Sequence, residues 1–149
     1  MTQPDVPGLV TAADLRHLMA EEEERHHRER LEAEAKARMQ HDLMVERYRN
    51  SHLTDAEKRS LIRHFQAAAA RGEKEILVCR FPSDACTDGG RAINNTLPEW
   101  PETLQGKPRD IYDLWNDHLR PLGYRLRSRI VDFPGGIPGD AGMFISWSV

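Results

Sequence analysis

The chain has 149 residues, of which 39% are hydrophobic and 30% charged, and its formal net charge is −3. That length suits one domain, or one small domain with an appendage. The charge weighs against a whole-protein nucleic-acid or acidic-lipid binder, while leaving room for a local basic patch. No run approaches the roughly 18–20 apolar residues that span a bilayer, and the opening MTQPDVPGLV lacks the basic and apolar regions of a secretory signal. A cytoplasmic location is therefore expected, with Cys79 and Cys86 as reduced thiols.

Residues 1–10, with Pro4 and Pro7, read as a flexible lead-in. A long charged helix is expected over 11–50, an interaction or oligomerisation arm. Thr11 serves as N-cap with Asp14 at the third helical position, and Val10 and Leu15 are spaced as a hydrophobic staple. No Pro or Gly interrupts Thr11 to Tyr48. The middle, EEEERHHRERLEAEAKARMQ, is almost free of large apolar side chains. Its i,i+4 spacings predict the pairs Glu21–Arg25, Glu24–Arg28, Glu32–Lys36 and Glu34–Arg38. Apolar positions open well at Leu15, Leu18 and Met19, lapse for two turns, and resume from Leu31 to Tyr48. A broken seam favours a solvated helix over a sustained coiled coil. His26 and His27 follow Glu23 and Glu24 in Glu-x-x-His spacing, but the stretch has no second copy, so solvated histidines are expected there and no metal.

A globular domain is expected over 51–149, because every Phe and Trp and all but one Tyr lie from Phe65 onward. LTDAEKRSLIRHFQAAAARG opens on a capping box, Thr54 with Glu57. Its expected buried face is Leu61, Ile62, Phe65 and Ala69, and Gly72 is placed to end it in a left-handed conformation. EILVCRF (75–81) reads as a buried strand with Cys79 as a small core residue. RDIYDLWNDHL (109–119) reads as a helix with Ile111, Leu114, Trp115 and His118 inward, His118 as a core histidine. YRLRSRIVDF (124–133) and MFISWSV (143–149) alternate as strands, the second with Met143, Ile145, Trp147 and Val149 on one face, and PGGIPGD between them is turn chemistry. The fold class that results is α+β: a long N-terminal charged helix, then a small α-β-α-β-β two-layer domain. Its three-stranded mixed sheet is expected to contain a parallel pair joined by a helical crossover and an antiparallel hairpin, with both helices on one face.

Two loops and one strand hold the candidate sites. Loop 82–107 is longer than most loops in compact domains. Asp88 in it is placed to cap a short helix, Gly89 and Gly90 can present N–H groups to an anion, Arg91 can fork onto a carboxylate or phosphate, and Trp100 can wall a pocket. Loop 132–142 brings Gly135 and Gly136, and the expected topology sets both loops at one sheet edge, where ligand sites tend to lie. Cys86 would need a base such as His118 to be a nucleophile, and no signature fixes that pair, so the two are weak catalytic candidates. Arg125, Arg127 and Arg129 alternate and leave one face of the sheet as a partner-binding stripe, with Arg80 joining if register permits; the Glu-rich helix of residues 21–34 is one source of neutralising charge.

The expected function is a non-enzymatic interaction or regulatory protein that uses the long helix and the Arg-bearing face to bind a protein partner or a second copy. An anionic small-molecule site or enzymatic site formed by loops 82–107 and 132–142 is the alternative, and nucleic-acid binding through the Arg stripe a second. No cofactor is implied.

Overall fold

A computed structural model of the chain describes residues 6–148. The expectations resting on Pro4 and Val149 lie outside the described residues. The chain forms two compact units, Met1–Asp42 and Leu43–Val149.

The first unit is built on helix α1 (Ala12–Arg49), whose last two turns belong to the second unit. Its start is the expected reciprocal cap: Thr11 Oγ1 accepts the Asp14 N–H at 3.0 Å, and the Asp14 carboxylate accepts the Thr11 N–H at 3.1 Å. Val10 and Leu15 remain exposed. The ion pairs differ from those the spacing predicts. Arg25 binds Glu22 and Glu29, and His17 binds Glu21, while none of the four expected pairs closes among the described residues. Each such contact is worth only roughly 0.2–0.5 kcal/mol on an exposed helix, so partners three and four residues away are nearly interchangeable.

The second unit is a two-layer α+β domain. Helix α2 (Asp55–Ala70) carries the full capping box at Thr54 and Glu57 and ends at Gly72. Its buried face is Leu61, Phe65 and Ala68; Ile62 is 51% exposed and Ala69 is also exposed, so the face is narrower than expected and turned towards Ala68. Strand β1 (Glu75–Pro82) leads into a short α3 (Arg91–Asn94) and then α4 (Lys107–Leu114). Strands β2 (Arg125–Ile130) and β3 (Asp140–Ser146) complete the sheet.

The strand order is β1-β3-β2, and both pairings are antiparallel. This corrects the expected mixed sheet. β1 and β2 do run in the same direction, but β3 lies between them, so no parallel ladder forms. The physical reason is burial: Ala141, Met143 and Ile145 of β3 are all 0% exposed, while the cationic residues lie on β1 and β2. The strand without Lys or Arg takes the centre, and the charged strands take the edges.

Helices α2 and α4 cover one face of this sheet, as expected. Phe81, Ile111, Ile130, Ala141 and Met143 form one core cluster with Val45 from the end of α1. Leu61, Phe65, Leu119 and Ile145 form the other, beneath Trp115, Tyr124 and Trp147. Two one-residue insertions set which side chains enter these clusters. In β1 the register shifts between Leu77 and Cys79, so Val78 is extra and turns inward beside Cys79. Without that bulge, strict alternation would send Phe81 outward and Arg80 inward. After α4 the chain makes a π-helical turn over Trp115–Leu119, with the Arg120 N–H bonded to the Trp115 carbonyl. The extra residue puts Leu119 into the core position that regular α-helical spacing assigns to His118, so His118 is exposed rather than a core histidine.

Candidate functional site

The two glycine-rich loops do meet. β1 and β2 end where β3 begins, and Ser83 donates its N–H to the Gly139 carbonyl at 3.0 Å. The first loop is largely structured. Tight helical turns cover Ser83–Ala85 and Trp100–Thr103, and α3 lies between them. Asp88 takes the expected capping role, its two carboxylate oxygens accepting the N–H groups of Gly90 and Ala92 at 2.9 and 2.8 Å. Gly89 and Gly90 both have positive φ, and Gly90 passes close under Ser83. Arg91 is exposed. Trp100 packs edge-on to Tyr112, with ring centroids 6.0 Å apart. Gly135 and Gly136 form an exposed turn after β2.

Cys86 is 2% exposed, and burial pushes its thiol up to about 11. His118 lines a separate surface hollow with Asp110, Asp113 and Asp117. The two weak catalytic candidates are thus set in different environments, and the Cys86 sulfur stays protonated at neutral pH.

The outer face of the sheet holds the arginine stripe. Register arranges it as three rows across β1, β3 and β2: Glu75–Ser146–Arg125, Leu77–Phe144–Arg127 and Arg80–Gly142–Arg129. The β1 bulge is what admits Arg80 to this face. Phe144 sits at the centre, only 9% exposed, although no helix of the second unit covers it. Two guanidiniums roof it instead, Arg127 at 4.9 Å and Arg129 at 4.7 Å from the ring centroid. Gly142 makes room for this arrangement: a Cβ there would lie 2.7 Å from Val131 and 3.1 Å from the Phe144 ring.

The neutralising carboxylates come from the sheet and its adjoining loop. Arg127 makes a forked contact to Glu75 at 2.7–3.2 Å. Arg80 bonds Asp140 at 2.8 Å and Asp132 at 3.2 Å. Among the described residues, Arg125 and Arg129 have no carboxylate partner. Leu77, 47% exposed, adds apolar surface, and Phe133 and Ile137 in the β2–β3 connection are also exposed.

Phe144 was open to sequence reasoning: Met143 and Ile145 point inward, so the residue between them must point out. Glu75 and Asp132 were not, because a contact across three strands depends on register. A further concavity of about 410 Å³ lies beside β1, lined by Arg47, Tyr48, Glu57, Cys79, Arg80 and Lys107 among others. It draws on the end of α1 and the starts of α2 and α4, which no local pattern joins.

No protein-family model, curated protein or solved structure matches this chain.

Proposed function

We propose that this chain is a non-enzymatic interaction protein, and that the outer face of its sheet binds an acidic segment of a protein partner. The observation that carries this reading is the pairing of the four arginines. Arg80 and Arg127 are engaged by carboxylates of the same unit, whereas Arg125 and Arg129 are not. A guanidinium held against an aromatic ring has lost part of its side-chain freedom already, so it donates to a partner's carboxylate at lower entropic cost. Leu77, level with Phe144 on β1, supplies apolar contact on the same face. Glu75, Asp132 and Asp140 interrupt the positive field, which favours a partner of discrete carboxylates over a continuous phosphate backbone. Helix α1 is a second contact surface in this reading, its Leu15, Leu18 and Met19 lying exposed along one stripe. A cytoplasmic setting is part of the proposal, in keeping with two free thiols.

The test is anisotropy of a labelled Glu-rich peptide and of a labelled DNA duplex against the full-length chain and its R125E/R129E variant. The peptide is expected to bind with an affinity that falls with salt, and the double reversal to weaken it at least about tenfold, or about 1.4 kcal/mol. Equal peptide binding by both proteins, or tighter binding of the duplex, overturns the reading.

A further inference from the structure

We infer that the cleft beside the open edge of β1 is a binding site for a small organic oxyanion, a phosphate monoester or a carboxylate with an apolar body. This inference does not depend on the sheet face described above. The cleft measures about 410 Å³, within the range of roughly 300–1,000 Å³ typical of small-molecule sites. Its walls come from four places in the second unit: Arg47 and Tyr48 at the end of α1, Glu57 in the first turn of α2, Val78 to Arg80 of β1, and Lys107 at the start of α4.

Charge is the first argument. Three cations and one carboxylate line the cleft. Glu57 is already committed: it accepts from Lys107 Nζ at 2.6 Å and from Thr54, and these bonds hold its carboxyl below the ordinary 4.5. Arg80 reaches to Asp132 and Asp140 at the end of the sheet. Arg47 has no carboxylate partner among the described residues. An anion that enters therefore meets an unopposed guanidinium, and Lys107 Nζ retains donors beyond the one given to Glu57.

Shape is the second argument. The β1 bulge turns both Val78 and Cys79 to the same side, giving the cleft a half-apolar floor. β1 is an edge strand, so the backbone groups it directs away from β3 have no partner strand. A charged rim above an apolar floor fits a molecule with one anionic head and a hydrophobic body.

Cys79 supplies the readout, because it lines the cleft while Cys86 is sealed in the core. The full-length chain is alkylated with iodoacetamide alone and with phenyl phosphate or benzoate, and each cysteine is followed by peptide mass spectrometry. With a probe at about ten times its Kd, Cys79 is expected to react about tenfold more slowly, since only the empty cleft reacts. Cys86 is sealed in the core and reacts only when the fold opens, so it reports general stabilisation by any bound probe, and the Arg47 variants assign the place of binding. R47A, and R47Q as the variant that keeps the bulk, are expected to remove the protection. Protection by phenyl phosphate or by benzoate assigns the head group. No protection of Cys79 by either probe, or protection that persists in both Arg47 variants, overturns the inference.

Discussion

Gly106 shows how much one residue can carry. Its φ is 68° and its ψ −140°, a region closed to residues with a side chain. The carbonyl oxygens of Tyr48, Arg49 and Ser51 crowd the place where a Cβ would be, those of Arg49 and Ser51 at 2.7 and 2.8 Å. These are backbone atoms at the end of α1 and just beyond it, so they cannot swing aside as a side chain tip would. Gly106→Ala is expected to cost about 3 kcal/mol or more, read as a lowered urea midpoint with an unchanged slope. A loss below about 1 kcal/mol would mean that the end of α1 is free to shift away. Residue identity alone hides this role. Gly106 follows Gln105 in a polar stretch and looks like any turn glycine. Asp88, by contrast, was readable as a cap, because a side-chain carboxylate satisfying N–H groups two and four residues ahead is a local matter.

At the scale of elements, caps and periodicity located every long helix and all three strands to within a few residues. Two insertions escaped them. Neither the extra Val78 in β1 nor the extra residue in the turn Trp115–Leu119 has a sequence signature, since each is chosen by what the flanking residues must reach. In β1 the bulge delivers Phe81 to the core and Arg80 to the outer face. After α4 the wide turn delivers Leu119 to the cluster of Phe65 and Ile145. A direct consequence can be tested by deletion. Removing the exposed Asp117 takes the extra residue out, so an ordinary α-helical turn still brings Leu119 inward. That deletion is expected to leave a folded chain, within about 2 kcal/mol of the parent. Removing the exposed Arg63 instead rotates half of α2 by about 100° and is expected to abolish cooperative unfolding. The check is thermal unfolding by circular dichroism; equal damage from both deletions would refute the account of the wide turn.

On the scale of the whole molecule, the core is asymmetric: helices seal one face of the sheet, and arginines stacked on Phe144 shield the other. Both thiols lie on the helix-covered side, Cys86 sealed in the core and Cys79 half-buried in the cleft beside β1. Burial, the first cause in each case, pushes Cys79 and Cys86 from 9.0 up to about 11. In the unfolded chain the same groups ionise near 9.0, so the stability linked to the thiol form is complete below that pH. It is lost as the pH rises towards about 11. The midpoint of urea unfolding is expected to drop across that window, and a C79A/C86A variant to show a flatter profile. An identical alkaline decline in that variant would assign the loss to other groups.

The candidate site divides along the same line. Alternation of Arg125, Arg127 and Arg129 already placed them on one face. Which carboxylates meet them, and which two arginines stay unpaired, depended on β3 entering between β1 and β2. By itself, the sequence determined the α+β class, the long capped helix, the capping box of α2 and the arginine stripe. These follow from interactions within a few residues, or from the two-residue period of a strand. Only the tertiary structure decided the antiparallel order, the membership of Arg80 in the stripe and the cleft that gathers Arg47, Cys79 and Lys107. Those outcomes turn on single-residue changes of register and on which strand is buried most deeply. They are settled by competition for the core, which no local stretch of chain encodes.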